Sequence, residues 1–314
     1  MARKILVTGG AGFIGSHLVH ALVERGDQVR VLDNLSTGKR RNLAEVADAI
    51  EFVEGDLVDA ATVARAVSGV ELVYHEAALA SVPRSVELPL DTHAACVTGT
   101  LTLLDAARRA GVRRLIYAAS SSAYGNQPFA SKRESDLPDP LSPYGAAKLA
   151  AEHYCHAFTA TYGFETVALR YFNVFGPRQD ADSPYSAVIP LFVTALLSGR
   201  RPTIYGDGGQ SRDFTFIADV VRGNLLAADA VDVAGRVINL ATGRTATLLQ
   251  LLDTLGRLLE MSIEPIFAPP RAGDVRESLA DITLARQYLG YEPQFSLEAG
   301  LEQSLDYYRE TARV

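Results

Sequence analysis

The chain has 314 residues, 48% hydrophobic and 21% charged, with a formal net charge of −7. That balance excludes a disordered chain, argues against a nucleic-acid partner, and fits one large domain or one and a half. Two cysteines, Cys96 and Cys155, are too few for a disulfide framework, no apolar run is long enough to span a bilayer, and the start lacks signal-peptide architecture. A cytoplasmic location without a membrane partner is expected.

Lys4 to Thr8 reads as a short buried strand, followed by Gly9-Gly10-Ala11-Gly12-Phe13-Ile14-Gly15 and a helical pattern from Ser16 to Arg25. A glycine-rich turn between strand and helix lets backbone N–H groups approach a pyrophosphate at the helix N-terminus. The glycines fall at 9, 12 and 15, and a second strand, Gln28 to Asp33, ends in an acid. An acid there binds adenosine ribose hydroxyls and repels a 2′-phosphate, favouring NAD over NADP. The basic run Lys39-Arg40-Arg41 is read as a solvated loop rather than a 2′-phosphate site.

Further strands are expected at Ile50–Glu54, Leu72–His75 and Arg114–Ala119, with helices at Asp59–Val67 and Asp91–Ala110 between them. This alternation predicts an α/β fold with a doubly wound parallel sheet, which binds ligands beyond the carboxyl ends of its strands. Gly9, Asp33, Asp56, His75 and Ser120 all fall at such ends. At His75 the small pair Ala77-Ala78 suggests backbone lying close to a cofactor. Tyr144 and Lys148 stand four apart on a helical stretch and share one face. An adjacent ammonium would lower the phenol pKa and make Tyr144 a general base for a sugar hydroxyl.

The sheet continues at Thr166–Tyr171, and beyond Pro177 the pattern breaks up. This places an NAD-binding part at residues 1–175, with a late strand near 237–240 returning to it, and a smaller region at 176–314 that mainly binds substrate.

The stretch Thr8 to His17, Asp33-Asn34-Leu35, Gly55-Asp56-Leu57, Ser120 to Gly125, Tyr144-x-x-x-Lys148, Arg170 to Pro177, Gly206-Asp207-Gly208, Ser211-Arg212-Asp213-Phe214 and Arg271-x-Gly273-Asp274-Val275 together resemble an extended short-chain dehydrogenase/reductase. Within that superfamily the pattern is similar to the nucleotide-sugar 4-epimerases. The resemblance implies a catalytic set of Ser120, Tyr144 and Lys148. It implies NAD contacts from Gly9, Gly12, Phe13, Ile14, Gly15, Asp33, Asn34, Asp56, Leu57, His75, Ala77, Ala78, Tyr144 and Lys148. Tyr144 would take the O4 proton, Lys148 would hold the nicotinamide ribose, and Ser120 would hydrogen-bond O4. No metal is called for.

For a UDP-sugar, the resemblance assigns Arg212 and Arg271 to the diphosphate, Asp274 to the uridine ribose, Asn173 to sugar or diphosphate, and Val188 and Tyr205 to the nucleotide end. Ser121 and Ser122 line the sugar and stand where 4,6-dehydratases carry an Asp-Glu pair. Elimination needs an acid and a base, which two serines do not supply. Ser278 stands where 4-epimerases restricted to plain hexoses have a tyrosine, so room for a 2-acetamido group is expected. The segment Ser183–Pro190 resembles the matching loop of enzymes that accept N-acetylated sugars. Cys96 replaces an asparagine of the family pattern and is read as a small buried residue. Lys132, Arg133 and Arg178 are read as solvated.

The expected function is NAD-dependent 4-epimerisation of UDP-glucose/UDP-galactose and their N-acetyl counterparts. The alternatives are a UDP-glucuronate epimerase or decarboxylase and a nucleotide-binding protein without chemistry. A homodimer is expected, because the helices at 91–110 and 144–162 resemble those that pair across the family's dimer interface.

Overall fold

A computed structural model describes residues 2–127, 131–180, 187–270 and 276–311. Its centre is a seven-stranded sheet built from β1 (Lys4–Thr8), β2 (Gln28–Asp33), β3 (Ile50–Glu54), β4 (Leu72–His75), β5 (Arg114–Ser120), β6 (Glu165–Tyr171) and the strand Val237–Leu240. The spatial order is 237–240, β6, β5, β4, β1, β2, β3, and every pairing is parallel. The order reverses between β1 and β4, which opens a crevice at their carboxyl ends.

A parallel sheet is covered on both faces, so its strands read as continuous apolar runs. The period-2 alternation of side chains divides each run between two cores. Ile5 and Val7 of β1, Ile116 of β5 and Val167 of β6 face one layer, together with Leu18 and Leu22 of helix α1 (Phe13–Glu24) and Val220 of the helix Ile217–Asp229. Leu6, Leu115, Tyr117 and Ala168 face the other. That second layer holds α2 (Ala60–Val67), α5 (Gly99–Arg109) and α6 (Pro143–Tyr162).

Two short helices, α3 (Val82–Glu87) and α4 (Pro89–His93), precede α5 and pack against α6. The helix expected at 91–110 is not uniform: between α4 and α5 the residues Ala94–Thr98 form a π turn. Such wide turns carry no signature in local propensity. Helix α1 begins at Phe13, three residues before the expected start, with Gly12 as its N-cap.

Helix α6 starts with Ser142, whose side chain accepts from the Gly145 amide at 3.1 Å, and Pro143 occupies its first turn. It ends at Gly163 in the left-handed conformation. A Cβ on Gly145 would lie 2.7 Å from the Ser122 carbonyl oxygen, so only glycine lets α6 lie this close to the segment after β5. One turn past Lys148, Glu152 takes a two-pronged pair from Arg170 of β6 at 2.7 and 2.8 Å, both residues buried. Arg170 also lies over the Tyr124 ring at 4.5 Å, and the Tyr124 hydroxyl donates to Asn239 at 2.6 Å. Through these contacts α6 is tied to β6, to the segment after β5 and to the last sheet strand.

Candidate active site

Ser120 is the last residue of β5, and Tyr144 and Lys148 lie on α6 one turn apart. The structure brings all three together. Ser120 is near enough to the Tyr144 hydroxyl to pull its pKa down, and the Ser120 oxygen accepts from the Ser122 amide at 3.2 Å. Lys148 is only 3% exposed, and burial pushes its ammonium pKa down. Cys96, Glu76, Cys155 and Glu152 face it and oppose that shift.

The expected depression of the Tyr144 pKa by Lys148 is not what the chain does alone. Loss of hydration dominates and pushes the phenol up, the Cys96 thiol adds to this, and only the neighbouring Ser120 pulls it down. The physical reason is that the cost of desolvating a phenolate outweighs what its polar neighbours return.

The glycine-rich turn forms the expected cradle. A Cβ on Gly15 would overlap the Gly9 carbonyl oxygen, so the turn closes only with glycine there. The turn presents Gly12, Phe13, Ile14 and Gly15 at the N-terminus of α1, the geometry that receives a dinucleotide pyrophosphate. Asp33 ends β2, and its two oxygens accept from the amides of Ala11 at 2.9 Å and Leu35 at 2.8 Å. Those bonds aim the carboxylate and leave further lone pairs for ribose hydroxyls. Asn34 donates to Asp56 at 2.7 Å, joining the ends of β2 and β3. The basic run turns elsewhere: Lys39 pairs with Asp180 at 2.9 Å, and Arg40 pairs with Glu54 at 2.7 Å and covers Phe52. These residues fit NAD, because the cradle and acid are present and the nearest cations have acidic partners of their own. Leu57 is a packed core residue against Gly99 and offers the cleft only backbone.

His75 has no exposure, and its ring is fully engaged. Thr100 gives its hydroxyl proton to the Cys96 carbonyl at 2.7 Å, so it receives one from His75 Nε2 at 2.8 Å. His75 Nδ1 then accepts from Thr8 at 2.7 Å, and the Ala77 amide donates to the Thr8 oxygen at 3.4 Å. This donor order fixes the Nε2–H tautomer. The imidazole therefore turns away from the cleft, and what it sets is the Ala77-Ala78 backbone.

Cys96 lies in a small apolar cluster with Val97 and Ala147, packed by Ala78. That agrees with a small buried residue, though one whose thiol also faces Tyr144 and Lys148.

On the substrate side, the strand Ser211–Arg212 pairs with Glu277–Ser278, placing Ser278 directly beside Arg212. Asp213, fully buried, fixes this corner by accepting from Thr242, Gly243 and Ala280. Ser121, Ser122 and Asn173 are half-buried near the strand ends, and Val188 opens the helix Val188–Leu197. Tyr205 ends the strand Thr203–Tyr205, whose following turn is held by a two-pronged Arg276–Asp207 pair. Arg271, Asp274 and residues 183–186 lie outside the described residues. Lys132 corrects the solvated expectation: it is buried and donates to the Gln127 carbonyl. Arg178 is half-buried, and Arg133 is exposed and paired with Asp281.

Sequence reasoning missed Glu76. It follows β4 at the topological switch, accepts from the Tyr171 hydroxyl at 2.9 Å, and its carboxyl is pushed up to about 7 by burial. An acid directly after a strand at the reversal point was the available signal.

The profile of the NAD dependent epimerase/dehydratase family matches residues 5–241. This chain belongs to that family. Members similar to it cover almost its whole length. It is 39% identical to the UDP-glucose 4-epimerase of Mycolicibacterium smegmatis over 310 residues, 98% of each chain. The crystal structure of UDP-glucose 4-epimerase with UDP-glucose from Thermotoga maritima superposes with a TM-score of 0.93 at 41% identity, covering 98% of this chain and 99% of that one. The UDP-N-acetylglucosamine 4-epimerase of Methanobrevibacter ruminantium, in complex with UDP-N-acetylmuramic acid, does so at 0.95 and 39%, covering 99% of each. None of the described helices is long and apolar enough to cross a membrane.

One consequence for this epimerase/dehydratase family member concerns pH. Burial lowers the His75 pKa to about 3, from 6.5 in an unfolded chain. The unfolded state thus gains a proton that the native state refuses, and the stability this residue contributes is present above about pH 6.5 and lost as pH falls towards 3. Replacing His75 with Gln should flatten the fall of unfolding free energy between pH 6 and 4 by up to about 1.4 kcal/mol per pH unit. Urea unfolding at several pH values measures this, and equal slopes in variant and wild type would refute it.

Proposed function

We propose that this chain is an NAD-dependent UDP-sugar 4-epimerase that interconverts UDP-glucose with UDP-galactose and the corresponding N-acetylated pair. The observation that carries the proposal is the juxtaposition of Ser120 and Tyr144 beside buried Lys148, at the carboxyl ends of strands whose first turn is a dinucleotide cradle. The extensive similarity to UDP-sugar 4-epimerases supports the same reading.

Bound NAD supplies reversible hydride acceptance at C4 of the sugar, giving and consuming a 4-keto sugar. Tyr144 removes the O4 proton in one direction and returns it in the other. Ser120 hydrogen-bonds O4 and shares the charge that develops there. Lys148 binds the nicotinamide ribose and supplies positive charge near the phenol. The chain alone raises the Tyr144 pKa, and the positive charge of bound NAD+ would oppose that rise.

We assign residues 1–175 and the strand 237–240 to NAD, and most of 176–314 to the UDP-sugar. Arg212 is assigned to the diphosphate, with Arg271 and Asp274 joining it by family resemblance. Ser278, next to Arg212, is assigned to the 2-position of the sugar. A cytoplasmic homodimer is proposed, with contact across α6 and the helices before it. There Val86 is 65% and Leu90 82% exposed, and Tyr154 of α6 is also exposed.

Tyr144→Phe should abolish turnover while retaining bound NAD; wild-type turnover would sink the assignment. Purified protein incubated with UDP-galactose, UDP-N-acetylglucosamine and UDP-glucuronate, followed by NMR, should give the C4 epimers of the first two only. Ser278→Tyr should remove the N-acetylated activity selectively, and unchanged turnover of UDP-N-acetylglucosamine would refute its role. Sedimentation of the purified chain should give twice the monomer mass of 33.8 kDa, and a single monomeric species at micromolar concentration would exclude the dimer.

A further inference from the structure

We propose that Tyr117 is the positioning residue for Lys148, its ring face holding the buried ammonium and its hydroxyl pinning the lysine backbone. Tyr117 lies on β5, three residues before Ser120, and has no exposure. The Lys148 Nζ sits 4.4 Å from the centroid of its ring. The same side chain donates its hydroxyl to the Lys148 carbonyl oxygen at 3.2 Å. One residue thus grips both ends of the lysine, across the packed junction of sheet and α6.

The ring is itself fixed by a second aromatic neighbour. His75 packs against it with centroids 5.5 Å apart, and His75 is locked by Thr8 and Thr100. The position of the ammonium is therefore set by residues that have no exposure of their own.

The chemistry favours this role for an aromatic ring. Lys148 has lost nearly all its hydration, and a π face returns part of it without an acid-base reaction. A carboxylate in that place would attract the ammonium more strongly but would offset the positive charge intended for the Tyr144 phenolate. A neutral ring stabilises the cation without adding to the negative charge of Glu76 and Glu152, which already face it. The titratable and charged groups facing Lys148 from the surrounding elements are His75 at the end of β4, Glu76 after it, Cys96 on the π turn, and Glu152 and Cys155 on α6. Tyr144 lies one turn before it on the same helix.

The inference rests on the epimerase reading for its turnover arm only. Tyr117→Phe keeps the ring and removes the hydroxyl, and should lower kcat no more than about threefold. Stepwise fluorination of a phenylalanine at 117 then weakens the π face at nearly constant shape. The trifluorinated residue should lower kcat by about tenfold relative to Tyr117→Phe with KM for the UDP-sugar unchanged, and move the alkaline limb of the kcat–pH profile down by about one unit. The second arm needs no turnover: the Nζ resonance of Lys148 in 15N-lysine-labelled protein, assigned with Lys148→Met, should titrate about one unit lower in the trifluorinated protein than in Tyr117→Phe. A flat fluorine series in a protein of unchanged Tm overturns the proposal, as does a Tyr117→Phe variant already as impaired as the trifluorinated one. If the wild type lacks epimerase turnover, the proposed function fails, and the Nζ titration still decides the role of Tyr117.

Discussion

An ammonium group taken out of water loses several kcal/mol of hydration that its new surroundings must replace. Lys148 is in that position at 3% exposure, and much of the site is arranged around it. Tyr117 lies under the charge, Glu76 and Glu152 face it from two sides, and the helix that carries it is bolted to β6 through Glu152 and Arg170. Because the ammonium has few alternative positions, the phenol one turn earlier is held in register with Ser120. Placement of the Tyr144 phenol follows from the burial of its neighbour.

The same confinement separates two jobs that surface chemistry would combine. Inside this pocket burial raises the phenol pKa and lowers that of the ammonium. Each group is pushed towards its neutral form, and further positive charge entering the cleft would oppose the rise of the phenol pKa.

Much of this was legible in the linear chain. The strands β1 to β6 announce themselves as short apolar runs ending in Gly9, Asp33, Asp56, His75 and Ser120, since a sheet buried on both faces leaves its strands little other choice. The spacing of Tyr144 and Lys148 located their shared face on α6. What remained hidden depended on cross-strand register or burial. Tyr117 meets His75 only because β4 and β5 pair in parallel with those residues opposite each other. The π turn at 94–98 lies packed against α6, a contact between distant segments, and Lys132 reads as solvated because nothing local reveals that the chain folds back over it. The direction of the Tyr144 shift was missed for the same reason: a pairwise rule sees the lysine but not the loss of water.

The strand Val237–Leu240 forms its ladder with β6, more than sixty positions earlier in the chain. Until that strand has emerged from the ribosome, β6 offers an open row of backbone donors and acceptors to any extended peptide nearby. Synthesis proceeds at about 5–20 residues per second, so the edge stays bare for several seconds of every chain's life. This border is thus the part of the sheet whose completion waits longest on translation.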